Sequence, residues 1–333
     1  MRLRVVLGAA LLTAAAGLGL LGWLVRTPPP ALAAGARTVE IPAHEGLLGI
    51  AARLQGAGVI RTRAGFVLVA LARGSAHRLK AGEYEVARGA ATPAVLMLLE
   101  EGRVKRHPVL HPEGATVAEL ARALEAQRLA DGAAIERLAR DPELLRTLGV
   151  EGPSLEGYLF PDTYQLVRGM TPDEILARMV QRLRAKLGPA LRERAERRGL
   201  TEHRLLTLAS IVEREAVAPE EMRLIAAVFW NRLKRDMPLQ ADPTVQYAVG
   251  KARRALTRAD LAADHPYNTY RYAGLPPGPI ASPGLAAIEA ALDPAPVGYL
   301  YFVALDDRRH VFSTTVEQHN AAVARYRRLA RNR

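Results

Sequence analysis

From Val5 to Val25 the chain runs without a charge (VVLGAALLTAAAGLGLLGWLV), about the length a helix needs to cross a bilayer. Arg2 and Arg4 precede the run, Trp23 lies near its far end and Arg26 follows. Positive charge on the short N-terminal side predicts a cytoplasmic N-terminus and an outward chain. A cleaved signal peptide is the competing reading, with Ala31-Leu32-Ala33 as the cleavage site. The run is long for a signal's apolar core, usually about 7–15 residues, and Pro28, Pro29 and Pro30 separate it from that site. The expectation is an uncleaved anchor over residues 1–26 and a stiff Pro- and Ala-rich linker over residues 27–37.

Beyond the linker the period alternates between two and 3.6 residues. Thr38 to Pro42 alternates as a strand, and Glu45 to Gln55 places Leu47, Leu48, Ala51 and Leu54 on one helical side before Gly56-Ala57-Gly58. A second helix spans Arg63 to Arg73, and a second strand Ala81 to Val86. Thr92 reads as the N-cap of a helix through Glu101, with Pro93 at its first position. This strand–helix–helix–strand unit is either a small carbohydrate-binding module or a spacer. Then come a strand (Val104 to Leu110), a helix from Thr116, and short helices over Ala133 to Arg140 and Glu143 to Thr147. Ser154 to Leu166 shows no period. Helices are expected over Pro172 to Leu187, Pro189 to Arg198, His203 to Ala216 and Pro219 to Lys234. A polar, loop-rich stretch leads to strands at Tyr299 to Ala304 and His310 to Ser313 and a closing helix from Val316. The fold class is mixed α+β.

A net charge of +12 and a pI near 10.3 raise the question of a polyanionic partner. Nucleic acid is disfavoured: the arginines are scattered beside glutamates, as in Arg192-Glu193-Arg194, and aromatic residues make up only 5%, too few for stacking platforms. Anionic lipid or an acidic wall polymer suits the charge as well. The absence of cysteine removes disulfide and thiolate chemistry. His107, His111 and His265 do not fall in metal-ligand spacing.

Candidate chemistry concentrates in Leu205 to Ala216 (LLTLASIVEREA). On a helical wheel of about 100° per residue, Leu205, Leu208, Ile211 and Val212 form an apolar arc. Glu215 falls inside that arc, Glu213 lies well round the helix near Leu206, and Arg214 points away. A carboxyl among apolar side chains holds its proton to higher pH, as a general acid at a glycosidic oxygen requires. The plainer alternative is a boundary glutamate paired with an arginine.

Longer motifs weigh on that choice. Glu156-Gly-Tyr-Leu-Phe-Pro-Asp-Thr-Tyr164, Ala209-Ser-Ile-Val-Glu-Arg-Glu215 and Phe229-Trp-Asn-Arg-Leu233 are followed by Leu239-Gln-Ala-Asp-Pro-Thr-Val-Gln-Tyr247 and Tyr267-Asn-Thr-Tyr270. Gly274-Leu-Pro-Pro-Gly278, Ile280-Ala-Ser-Pro-Gly284, Tyr299 to Ala304 and His310 to Asn320 complete the series. In order and spacing these resemble the endolytic murein transglycosylases (the MltG-type, YceG-like family). The resemblance implies a LysM-like subdomain at residues 38–106 before a catalytic domain at residues 107–333. It further implies lytic cleavage of the β-1,4 bond between N-acetylmuramic acid and N-acetylglucosamine without a cofactor or metal, and partners in the glycan strand, the membrane and peptidoglycan synthases. The second glutamate of the E-x-E pair, here Glu215, is the essential one in that family.

Gln240, Asp242, Thr244, Asn268 and Tyr270 sit in polar segments after this helix and are candidate sugar-binding residues, or they satisfy loop backbone. Tyr158, Phe160 and Tyr164 suit a core better than a sugar platform, and Asp162 suits a turn cap. Two other functions stay open: a hydrolytic muramidase in which Asp242 or Asp162 activates water, and a non-catalytic wall-binding scaffold.

Overall fold

The computed structural model describes residues 2–251, 254–305 and 309–331, with the side chains of residues 1–11, 14, 33, 327 and 329–331 outside the description. In chain order the elements are α1 (Arg2–Arg26), α2 (Pro30–Ala34), β1 (Arg37–Ile41), α3 (Leu47–Gly56), α4 (Arg63–Ala72), β2 (Gly82–Val86) and α5 (Thr92–Glu101). Next come β3 (His107–His111), α6 (Val117–Ala126), α7 (Gly132–Leu138), α8 (Pro142–Thr147), β4 (Asp162–Leu166), α9 (Pro172–Arg197) and α10 (Glu202–Glu215). The chain closes with α11 (Met222–Leu233), α12 (Asp242–Ala248), α13 (Arg258–Leu261), α14 (Leu285–Leu292), β5 (Tyr301–Ala304), β6 (His310–Ser313) and α15 (Val316–Arg331). The strands pair as β1–β2, β3–β4 and β5–β6. Helices and small sheets together make the fold mixed α+β.

The chain divides into two compact units, residues 1–108 with 165–169, and residues 109–164 with 170–333. In the first, β1 and β2 pair antiparallel with Val39 opposite Tyr84. Val39, Ile41, Leu54, Phe66, Tyr84 and Leu96 share one core. Where composition predicts a stiff linker, α2 forms and seats Leu32 in that same core. Arg61 Nε donates to the carbonyls of Thr27 (3.2 Å) and Pro28 (3.1 Å), and its guanidinium lies over the Trp23 ring. Of the expected membrane span at Val5–Val25, the side chains of residues 5–11 and 14 lie outside the description; among the described residues, no helix is long and apolar enough to cross a membrane.

Several expected boundaries shift for identifiable reasons. The strand expected at Val104 to Leu110 is instead His107–His111, because Val104 and Lys105 turn back to bond the carbonyls of Gly102 and Glu83. Ala91 occupies the N-cap expected of Thr92, which is the buried first residue of α5. The segment with no visible period contains β4, whose alternation rests on only two buried positions, Tyr164 and Leu166. The break between two expected helices falls at Gly188, where φ of 54° interrupts α9, a conformation that favours glycine.

The second unit is organised around α10. Thr201 caps it by accepting from the Arg204 N–H at 3.3 Å, satisfying one of the helix's orphan donors. Every residue from Leu205 to Val212 is buried, so the helix is enclosed all round, which is why its pattern reads as more than a simple stripe. It packs on α14, α11, α12 and α9. The Ser210 hydroxyl accepts from Ile280 N–H at 3.1 Å and donates to Thr207 O at 2.8 Å, fixing the Ile280–Gly284 loop to the helix. Leu208 is fully buried on α10. Leu208→Ala is expected to lower unfolding free energy by about 2–5 kcal/mol, the usual range for a buried leucine truncation, as read by denaturant titration.

Candidate active site

Glu215 is the last residue of α10; at Ala216 the backbone turns extended (φ −70°, ψ 127°). A carboxyl there sits at the negative end of the helix dipole, which disfavours ionisation. Burial acts more strongly in the same direction, and the neighbouring Asp242 charge adds to it. Together they push Glu215 up to about 8, against the Arg232 charge and a hydrogen bond from the Asp242 backbone N–H. Glu215 is thus an acid at neutral pH.

Glu213, two residues earlier, meets another fate. Its carboxyl accepts from the Gly284 N–H at 2.9 Å. Burial raises its pKa as well, with Glu113 adding to the rise, yet its hydrogen bond is to the backbone of a neighbouring loop. The two glutamates stand about 200° apart on the helix, which separates an acid facing α12 from one that anchors a loop.

Arg232 is the residue the sequence reading assigned no role. It is buried on α11, and its Nε donates to Leu300 O at 2.7 Å. Its Nη1 donates to Leu239 O at 2.7 Å, to Pro238 O at 3.2 Å and to Gln240 Oε1 at 3.4 Å. The guanidinium also lies 5.3 Å from the Tyr301 ring centroid, a cation–π distance. Its position was legible: Arg232 stands seven residues after Ile225 and four after Val228, on the face that α11 buries.

The expected sugar-binding residues divide into two groups. Asp242 and Thr244 lie on α12 rather than in a loop. The Asp242 Oδ1 accepts from the Tyr270 hydroxyl at 2.5 Å. Tyr270 is raised by burial and by Asp242, and feels Glu215 as well. Glu215, Asp242, Tyr270 and Arg232 therefore form one electrostatic group. Gln240 joins it through Arg232 and adopts φ of 49°, while its N–H donates to Thr269 O at 3.1 Å.

Thr244 and Asn268 have their polar atoms engaged locally. The Thr244 hydroxyl donates to Ala241 O and meets Thr269 Oγ1 at 2.8 Å. Asn268 Nδ2 donates to Leu261 O and Ala263 O, and its Oδ1 accepts from Tyr270 N–H at 3.0 Å. Asn268 thus shapes the loop that delivers Tyr270. Tyr158, Phe160 and Tyr164 are core residues. Asp162 accepts from its neighbour Thr163 N–H and from Arg182 Nε at 2.7 Å.

The YceG-like family model matches residues 39–325. A Bacillus subtilis (strain 168) protein named endolytic murein transglycosylase is 33% identical over 304 residues, covering 86% of this chain and 84% of that one. A Streptococcus pneumoniae (strain D39) protein of the same name is 33% identical over 321 residues; the match covers 87% of this chain and 58% of that longer relative. The crystal structure of a putative yceG-like protein from Listeria monocytogenes (lmo1499) aligns with a TM-score of 0.61 at 34% identity, covering 86% of this chain and 98% of that one. A match of this length over the segment that carries Glu215, Arg232, Asp242 and Tyr270 means that the chain belongs to the YceG-like family.

Proposed function

We propose that the protein is an endolytic peptidoglycan lytic transglycosylase, a lyase that cuts within glycan strands. The observation that carries this reading is Glu215, an acid up to about pH 8 grouped with Asp242, Tyr270 and Arg232. The names of the relatives from Bacillus and Streptococcus support the same activity.

In the reaction, Glu215 gives its proton to the glycosidic oxygen as the bond to the muramoyl C1 breaks, so the leaving strand departs as an alcohol. The resulting Glu215 carboxylate takes the proton of the muramoyl 6-hydroxyl, whose oxygen bonds to C1. The acid is regenerated, the product ends in 1,6-anhydromuramic acid, and no water is consumed. The nearby Arg232 charge eases the interval in which Glu215 is ionised. The Asp242 charge opposes that interval and so favours capture of the 6-hydroxyl proton by Glu215. Gln240, Asp242 and Tyr270 supply hydrogen-bonding groups for the sugars, with Thr244 and Asn268 holding the segment that presents them.

A second reading has one observation in its favour. Asp242 places another carboxylate beside Glu215, and a two-carboxylate site suits a hydrolytic muramidase. Cleavage of long strands in oxygen-18 water distinguishes the two. Wild type is expected to yield unlabelled 1,6-anhydro ends, and Glu215→Gln to yield no cut strands while staying folded. Labelled reducing ends would make the enzyme a hydrolase; a fully active Glu215→Gln would move the acid elsewhere.

The pH profile follows from the direction of the Glu215 shift. Its acid form is the active one, so kcat/KM is expected to hold through neutrality and fall about tenfold per pH unit above roughly 8. A profile that already declines above the ordinary glutamate range would remove Glu215 from the acid role.

We also propose that residues 1–26 anchor the chain once in the cytoplasmic membrane, with the rest outside and beside the peptidoglycan synthases. The LysM-like subdomain at residues 38–106 would hold the strand. The uncharged Val5–Val25 run behind Arg2 and Arg4 supports the anchor. Full-length protein is expected to resist extraction of membranes by alkaline carbonate; a mature form starting near Ala34 that washes free would establish the cleaved signal instead.

A further inference from the structure

The second unit holds a buried carboxyl that the reaction at Glu215 does not use. Glu156 is only 5% exposed, and its Oε1 accepts from the Val117 N–H at 3.1 Å, at the start of α6. Burial pushes it up to about 8 against that hydrogen bond, and the Glu119 charge adds to the rise. Near neutrality it is therefore a hydrogen-bond donor as well as an acceptor.

Glu156 lies in the lining of a cleft of about 410 Å³, together with Ala118, Ser154, Gln246 and Tyr247. The size falls within the range of small-molecule sites. Charges in the lining cancel, Glu119 and Glu136 against Arg122 and Arg140. Tyr247 packs on Tyr267 with ring centroids 4.9 Å apart. Burial raises the Tyr247 phenol and the adjoining Glu156 raises it further, so it too keeps its proton. An aromatic face, neutral donors and acceptors, and no net charge match an uncharged ligand bearing hydroxyl and amide groups. An N-acetylated sugar has that chemistry.

The cleft is also tied to the acid. One end of α12 is Asp242, whose N–H bonds Glu215; Tyr247, in the cleft, is five residues along the same helix. At 1.5 Å and about 100° per residue that is about 7–8 Å of axis, with the two side chains turned about 140° from one another. The charge of Arg214 acts on both Glu215 and Glu156.

We propose that this cleft is a distal saccharide subsite, in which Glu156 and Tyr247 hold an N-acetylated sugar of the strand being cut at Glu215. The inference rests on the transglycosylase reading and extends it. Holding a sugar away from the cut bond rewards strands that run on past it, because the added contact binds the ground state and the transition state alike.

The test compares strands of graded length on wild type and on Ala118→Trp, which fills the cleft from the first turn of α6; Gln246→Trp fills it from α12 should the first variant not fold, as judged by its melting curve. Wild type is expected to gain about tenfold in kcat/KM once strands reach the cleft, chiefly through KM, and the filled variant to lose that gain. A wild type indifferent to length, or a filled variant with the full gain, overturns the subsite. Calorimetry separates this from the chemistry at Glu215. A long uncut strand should bind Glu215→Gln about tenfold more tightly than Glu215→Gln with Ala118→Trp, and equal affinities overturn the subsite. If wild type binds strands through the cleft but cuts none, the transglycosylase reading fails and the subsite stands.

Discussion

Keeping a carboxyl protonated near neutrality requires that its ionised form be costlier inside the protein than in water, and the arrangement of the second unit follows from that requirement. The cost comes from desolvation, and desolvation needs a helix enclosed on every side. α10 meets it with an unbroken buried run from Leu205 to Val212. The enclosure ends within one turn, so that Glu215 as a whole residue is half-buried. The helix terminus does double service: it supplies the dipole that disfavours the anion and marks where packing stops.

Desolvation is not the only influence on that proton. Arg232 and Asp242 set the balance with opposite signs. A buried guanidinium is itself expensive, and Arg232 meets that cost by donating to the carbonyls of Leu300, Leu239 and Pro238. The same bonds fix the segment leading to α12, and so fix Asp242. Asp242 in turn is held by Tyr270, which Asn268 orients through its backbone N–H. Charges that tune the acid and bonds that shape the loop are the same interactions.

Elements with strong periodicity were legible in the sequence. The helices at residues 47–56, 63–72 and 202–215 and the strands at residues 82–86 and 310–313 lie within a residue or two of where the pattern puts them. What escaped was local structure fixed by distant partners. β4 has only Tyr164 and Leu166 to show for its alternation, and flanking aromatics that belong to the core obscure it. α12 hides behind Pro243 and polar residues that read as loop. Glu215 could be singled out because its position depends on one helix alone. The roles of Asp242 and Arg232 depend on three separate segments meeting, and no periodicity within a single segment encodes that meeting.

Glu156 and Glu215 are held up to about the same value by the same kinds of neighbour: burial and a carboxylate raise each, while a backbone N–H and arginines lower it. For Glu215 the carboxylate and the N–H both belong to Asp242, and the arginines are Arg232 and Arg214. Glu156 is tied to a backbone N–H, with Glu119 opposing ionisation and Arg140 and Arg214 acting the other way more weakly. What differs is residue exposure: Glu156 as a whole residue is buried, whereas Glu215 is half-buried at the end of its helix. The same desolvation keeps the proton on both carboxyls, and what sets the two residues apart is how far each is enclosed.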